Sequence, residues 1–316
     1  MQKFVQKNYE FDARRKIIAS EEGYSRENWE LFAELGWLTV PFKEEDGGFG
    51  GSAVDLTVMM DEFGKSNLVE PFTPTAILCG GLISALAGND QKSELLGSLM
   101  RGKLQLACAY AEADSRFNLS SVSTTATVEG DRANIEGGKI NVLNASNADK
   151  LLVVARESGG RTDREGISIF LVDSDSDGLS IQSYTNVDGK KAAQVGFSSV
   201  SIPIAARLGK VGQALPALET VVDRATVAVS AEAVGALEVL LQKTVEYSKT
   251  RKQFGSPIGT FQALQHRMAD MFIECQLARS IVIMAAMKLD GSDSDIEKSK
   301  AAVSYTHLTL PTICSV

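Results

Sequence analysis

The chain has 316 residues, enough for two or three domains and a large core. Its 44% apolar and 23% charged residues are those of an ordinary soluble globular protein, and a net charge of −8 argues against nucleic acid as a partner. Four scattered cysteines (Cys79, Cys108, Cys275, Cys314) and only two histidines (His266, His307) argue against disulfides, a metal site and Ser-His catalysis. No stretch reads as long and apolar enough to span a bilayer, and the segment from Met1 to Lys7 lacks the apolar region of a signal peptide, so the expected setting is cytoplasmic.

Residues 1–105 read as helical. Ser25 before Glu27, Trp29, Phe32, Leu35 and Gly36 marks a capped amphipathic helix closed by glycine. The Gly-rich run Glu44–Gly51 carries three acidic residues and no Lys-Ser or Lys-Thr after its glycines, so it reads as a loop and not as a phosphate cradle. The pattern from Val54 to Gly64 is helical again, with Met59, Met60 and Phe63 on the core side.

The period changes over residues 106–211. Ser123–Val128 alternates and is β-branched, Lys150–Ala155 and Ile167–Val172 are strong strands, and Val195–Phe197 leads to a strand, Val200–Ile202, ended by Pro203. Turns are marked at Gly130-Asp131, Gly137-Gly138, Asp177-Gly178 and Asp188-Gly189. Several short strands in about a hundred residues predict a compact β-barrel or sandwich.

Residues 212–302 return to the helical period, with one long helix over Gly212–Thr250 and a second over Phe261–Leu289. Between them Gly255, Pro257 and Gly259 set a tight loop. Arg251, Lys252 and Gln253 are placed at the helix terminus beside the ring of Phe254, a donor fork and an amide suited to a phosphate-bearing, partly flat ligand. The plain alternative is a surface turn with two solvated cations. After Ala302 the helical pattern collapses, and 303–316 reads as a non-native tail, uncharged and aperiodic.

The segment Arg251…Phe254-Gly255…Pro257-Ile258…Phe261-Gln262…Ala269-Asp270-Met271 resembles the flavin-contacting signature of the acyl-CoA dehydrogenase family. The resemblance extends over residues 2–302, through Leu35-Gly36-Trp37, Glu44–Gly50 and Asp61–Lys65. The run Val69–Ala76 is similar to small subunits of pimeloyl-CoA dehydrogenase type. It implies an α+β multidomain fold: an N-terminal α-helical domain (1–105), a middle β-barrel domain (106–211) and a C-terminal helical bundle (212–302), incomplete at its end.

The resemblance also implies FAD as cofactor, an acyl-CoA thioester as substrate, and α,β-dehydrogenation by a carboxylate base and a hydride-accepting flavin. Arg251, Gln253, Phe254 and Gln262 would contact FAD across a subunit interface, Arg251 at the pyrophosphate and Gln262 at the adenosine end. The implied partners are a homologous dehydrogenase subunit, in a hetero- or homo-oligomer, and an electron-transfer flavoprotein. The departures are equally specific. The family's Thr-Glu-Pro-Gly-Ala-Gly-Ser-Asp loop corresponds to Ala111–Asn118, which keeps only Glu112. In the strand Lys139–Asn144, Asn141 replaces the family's Trp and Leu143 its Thr. No residue is identified as the base: one family position for it aligns with Ala225, the other lies on a later helix, and Asp223, Glu219 and Glu232 are nearby carboxylates. Glu232, set in an apolar pattern, would be desolvated. Three readings follow. In the first, the chain is a subunit completing a partner's flavin site. In the second, it is a self-sufficient homotetrameric enzyme. In the third, it is a non-catalytic structural or acyl-CoA-binding paralogue.

Overall fold

The structure is a computed structural model describing residue 4 and residues 8–291; the tail expected at 303–316 lies outside these. Its Cα packing forms two compact units. One gathers the described residues of Met1–Ala13, Ser52–Leu68 and Asp223–Val316, the other Arg14–Gly51 and Val69–Val222.

The second unit carries the sheet. Short helices α1 (Phe11–Ala19) and α2 (Arg26–Glu34) lead the chain, and Ser25 caps α2 by accepting from Asn28 N–H, as its sequence predicts. After α3 (Ala53–Ser66), a π-helical stretch, Thr73–Cys79, runs into α4 (Gly80–Leu86) and is followed by α5 (Asn89–Met100). Eight strands then form one mixed sheet: β1 (Leu106–Ala109), β2 (Thr125–Glu129), β3 (Arg132–Leu143), β4 (Lys150–Arg156), β5 (Ile167–Asp173), β6 (Leu179–Thr185), β7 (Lys191–Pro203) and β8 (Arg207–Leu208). Their order is β6-β7-β3-β2-β4-β5-β8, with β1 parallel to β4. The alternating and continuous apolar runs turn Ile135, Leu151, Val153, Phe170, Val195 and Val200 into one core. β3 is bulged twice against β7, between Ile135 and Gly137 and between Lys139 and Val142.

The first unit is built on α3, the Asp223–Thr250 part of α6 (Leu215–Thr250), and α7 (Gln262–Gly291). Glycines let α3 and α6 touch backbone to backbone. A Cβ on Gly64 would stand 1.8 Å from Glu232 O, and one on Gly235 would stand 2.0 Å from Asp61 O. A charge network follows the same contact: Lys65 Nζ meets Asp61 Oδ2 at 2.9 Å and Glu62 Oε1 at 2.6 Å, and Arg279 bonds Asp61 Oδ1 at 3.1 Å and also Glu238. Asp290, at the end of α7, accepts from the backbone N–H groups of Ala53 (2.7 Å) and Val54 (3.1 Å) and so caps α3 from a distant part of the chain. One expectation is corrected here. α6 contains an 18-residue window of mean hydropathy 1.4, long and apolar enough to cross a bilayer by composition. Helices buried among other helices share this composition, and Val227, Ala228, Ala231 and Val234 are buried in protein.

Because the atoms opposing Gly64 and Gly235 are backbone, no rotamer change relieves a larger residue. Gly235→Ala and Gly64→Val are expected to destabilise the protein by about 1–3 kcal/mol or more. Gly88→Ala, with nothing within 4 Å of the added carbon, is the control. Thermal unfolding followed by circular dichroism distinguishes them.

Candidate cofactor-contacting sites

Two surfaces carry the residues singled out by the sequence. The first follows α6. The helix ends at Thr250, so Lys252 and Gln253 do not continue its terminus; they form β9, which pairs antiparallel with β10 (Ser256–Pro257). A helix-terminal placement was expected, and the two-residue hairpin replaces it because Phe254 and Gly255 both take positive φ, 52° and 82°, as a type I′ turn requires. A Phe in that conformation is strained. Its ring is 94% exposed and meets Phe261 edge-on, with centroids 6.2 Å apart. Arg251, Gln253 and Gln262 are exposed around it, as is His266. The base of the hairpin is tied down: Ile258 N–H donates to Arg251 O at 2.8 Å, Gln265 Nε2 to Gly259 O at 2.9 Å, and Thr260 Oγ1 to Pro257 O at 2.7 Å.

The second surface is the end of the sheet. Glu112, in the loop leaving β1, is turned inward. Its carboxylate accepts from Lys139 Nζ (2.7 Å), Ser123 N–H (2.7 Å), Thr124 N–H (2.9 Å) and Thr124 Oγ1 (2.8 Å). Burial pushes this carboxyl upward, but the Lys139 charge and hydrogen bond and the two backbone N–H donors outweigh it and hold it at about 2, against 4.5 for a free group. Burial draws the Lys139 ammonium below its ordinary value and the carboxylate opposes that drop. Nearby, Arg156 is 5% exposed, and its guanidinium donates only to carbonyl oxygens: Val122, Ser120, Arg161, Asp163, Glu165 and Ser158. It thereby fastens the segment 118–122 to the loop 158–166.

What this end of the sheet presents outward is neither a ring platform nor a row of hydroxyls. Asn141 sits in the second β3 bulge with φ 49°, exposed, accepting from Asn186 Nδ2 at 3.3 Å. Phe117 projects from the loop fully exposed, next to Arg116 with φ 48°. Ser115 turns its hydroxyl back to Glu112 O at 2.9 Å. An open depression of about 350 Å³ beside Ala113, Gly138, Ile140, Gln182 and Gln194 has a small-residue and amide lining. These groups do not fit a stacked flavin ring. The exposed cation, amide and ring of the hairpin are groups that suit a phosphate-bearing dinucleotide.

The carboxylates near Ala225 are engaged elsewhere. Glu219 pairs bidentately with Arg164 at 2.8 and 2.7 Å. Glu232 is half-buried and bound by neighbouring groups, as is Asp223. Ala225 is itself buried. Among the described residues no cluster of three metal-ligating side chains occurs. The strand pairing around Phe254-Gly255 and the Arg156 hub escaped the sequence, which showed only a tight loop there. Phe-Gly is not the Asn-Gly that signals a type I′ turn, and an Arg at the end of an apolar strand looks like a solvated terminus.

Three family profiles tile the chain: the acyl-CoA dehydrogenase N-terminal domain over residues 1–103, the middle domain over 107–200 and the C-terminal domain over 215–312. The chain is 30% identical over 292 residues to acyl-CoA dehydrogenase fadE12 of Mycobacterium tuberculosis, covering 90% of this chain and 74% of the relative. It is 26% identical over 319 residues to the caffeyl-CoA reductase-Etf complex subunit CarC of Acetobacterium woodii, covering 99% and 83%. Among solved structures, a Tcur3481-Tcur3483 steroid acyl-CoA dehydrogenase variant superposes with a TM-score of 0.82 at 26% identity, covering 99% of this chain and 84% of that one. The chain belongs to the acyl-CoA dehydrogenase family of FAD-dependent oxidoreductases, and its helical, sheet and helical segments are that family's domains.

The buried pair gives a direct test. Lys139→Met strands the Glu112 carboxylate and is expected to cost about 3–5 kcal/mol, with the Glu112→Gln/Lys139→Met double variant recovering part of it. Because the folded carboxyl is held at about 2 against 4.5 when free, its stabilisation is complete above 4.5 and is lost as pH falls toward 2. Urea midpoints across this window should flatten in Glu112→Gln.

Proposed function

We propose that this chain is a subunit of a flavin-dependent acyl-CoA dehydrogenase that completes the flavin site of a partner subunit. The observation that carries the reading is the contrast between the two surfaces. The hairpin holds Arg251, Gln253, Phe254 and Gln262 exposed on a rigid base. The sheet end offers Asn141 and a Glu112 already satisfied from within.

In this assembly Arg251 sets its guanidinium on the dinucleotide's pyrophosphate, Gln262 hydrogen-bonds toward the adenosine end, and Gln253 and Phe254 flank it. The bound flavin supplies the hydride acceptor for α,β-dehydrogenation of an acyl-CoA thioester. The strain at Phe254 serves to keep the ring outside this chain's own core, where a partner's cofactor can meet it. No carboxylate in this chain is assigned as the base: Ala225 has no proton acceptor, and Glu219 is held by Arg164.

The pairing is supported by the kinship with a steroid acyl-CoA dehydrogenase named for two components, and an electron-transfer flavoprotein partner by the kinship with an Etf-complex subunit. The setting proposed is cytoplasmic. The reading of the chain as a non-catalytic paralogue is disfavoured by the retained hairpin.

The chain purified alone is expected to be colourless and folded. Co-expressed with its cognate dehydrogenase subunit, it should yield a complex with a flavin absorption band that bleaches with acyl-CoA. Arg251→Ala should lower flavin retention by about 1.5–3 kcal/mol, the scale of a charge-assisted hydrogen bond. A yellow, acyl-CoA-bleachable protein from this chain alone would overturn the reading.

A further inference from the structure

The mixed sheet ends at β8 on one side and at β6 on the other, with β1 added beside β4. A border strand carries unpaired N–H and C=O groups. Proteins guard it by making it short, covering it, bulging it, or placing Lys, another charge or Pro on it. β8 is guarded by length, with only two residues, and its Arg207 is bonded to Glu157. β1 has four residues, all buried, so it is covered. β6 has none of these devices. It runs for seven residues, Leu-Ser-Ile-Gln-Ser-Tyr-Thr, without a charge or a proline. It pairs with β7 without a register shift and is exposed from Gln182 to Thr185.

Which of its groups are free follows from the pairing. Ser198 N–H donates to Gly178 O at 3.0 Å and Asn186 N–H to Lys190 O at 2.9 Å. The even-numbered residues from Gly178 to Asn186 therefore turn their N–H and C=O groups toward β7, and the odd-numbered ones turn theirs to the open side. Leu179 N–H is taken by Ser176 O at 3.2 Å. Ile181, Ser183 and Thr185 remain, and among the described residues nothing pairs with their backbone groups. The side chains of Leu179 and Ile181 pack on the core of the sheet, so the edge stands in a fixed register.

We infer that β6 is an interface strand whose occupant is β6 of a second copy of this chain, antiparallel across a two-fold axis at Ser183. In that register Ser183 exchanges both backbone bonds with Ser183 of the copy, and Ile181 does so with Thr185 of the copy. Complementarity selects this occupant and this axis. An axis at Ser183 uses every free group, whereas an axis at Gln182 needs the Leu179 N–H that Ser176 already holds. On the exposed face Gln182 falls opposite Tyr184 of the copy, and on the other face Ile181 falls opposite Thr185. No like charges meet: the nearest, Asp177 and Asp188 in the flanking turns, fall opposite Gly189 and Gly178. A net charge of −8 opposes the meeting of two copies, and an uncharged strand is where that repulsion acts least. The inference does not rest on the proposed flavin role, whose residues lie on the helical unit.

The test is the mass of the full chain, alone and co-purified with its partner subunit, read by light scattering at rising concentration. A mass containing paired copies is expected. Ser183→Lys and Ser183→Glu should each halve it, because like charges then face each other on the axis. Mixing the two variants should restore it, because Lys then faces Glu. Ser183→Pro removes an N–H that faces solvent in the single chain, so it keeps the fold and also halves the mass. Ser183→Ala leaves the mass unchanged, and thermal melts confirm that each variant is folded. A chain that stays unpaired at every concentration overturns the inference, as does a mass that Ser183→Lys and Ser183→Glu leave unchanged. A loss that mixing does not restore also overturns it and assigns the edge to a strand of another protein. None of these outcomes touches the flavin reading, which is judged by the absorption band.

Discussion

One buried carboxylate governs how the sheet end is folded. Glu112 stands in the loop after β1, Lys139 in β3, and Ser123 and Thr124 lead into β2, so four hydrogen bonds to a single side chain join three strands at one point. A buried ion pair is tolerated only when its remaining donors and acceptors are filled, and here they are. Arg156 repeats the device with opposite charge: a guanidinium with every N–H direction occupied by loop carbonyls. Both charges act on backbone. They fix where the loops run without dictating what the loops display. That division lets Phe117 and Asn141 stand on the outer surface without disturbing the framework beneath.

The hairpin after α6 solves the opposite problem. It must hold an exposed aromatic still with little core beneath it. The positive φ at Phe254 costs about 1–3 kcal/mol, and a pair of β-bridge residues and three side-chain or backbone contacts to the following turn offset it. Gly259 belongs to the same arrangement, because a Cβ there would stand 2.8 Å from Ser248 Oγ and 3.0 Å from Ser248 O at the end of α6. The site is held by hydrogen bonds to the carbonyl oxygens of Arg251, Pro257 and Gly259, and among the described residues the side chains of Arg251, Gln253 and Gln262 take no part in them.

Most of the fold was legible because period and punctuation agree. Ser25 and Gly36 bound a helix as their chemistry demands, β4 and β5 are apolar runs of β-branched residues, and the change from period 3.6 to period 2 near residue 106 falls where β1 begins. β6 was less legible: its outward residues are Ser, Gln and Tyr, and only pairing with β7 makes it a strand. The tight loop was read from Gly255, Pro257 and Gly259, but its two-residue hairpin form was not, because Phe-Gly violates the turn preference it obeys in space.

The departures are not spread evenly over the positions that the family resemblance implies as cofactor contacts. Those lost, at Ala111, Phe117, Asn141 and Leu143, all lie on the sheet unit; those kept, at Arg251, Phe254 and Gln262, all lie on the helical unit. Phe254 carries a cost, since its left-handed backbone is strained and its exposed ring meets Phe261 edge-on rather than a core. Under the proposed function, a second molecule meets the exposed hairpin surface and not the sheet end. The physical asymmetry of this chain is thus between groups that have already satisfied their charge inside the protein and groups that remain to be satisfied outside it.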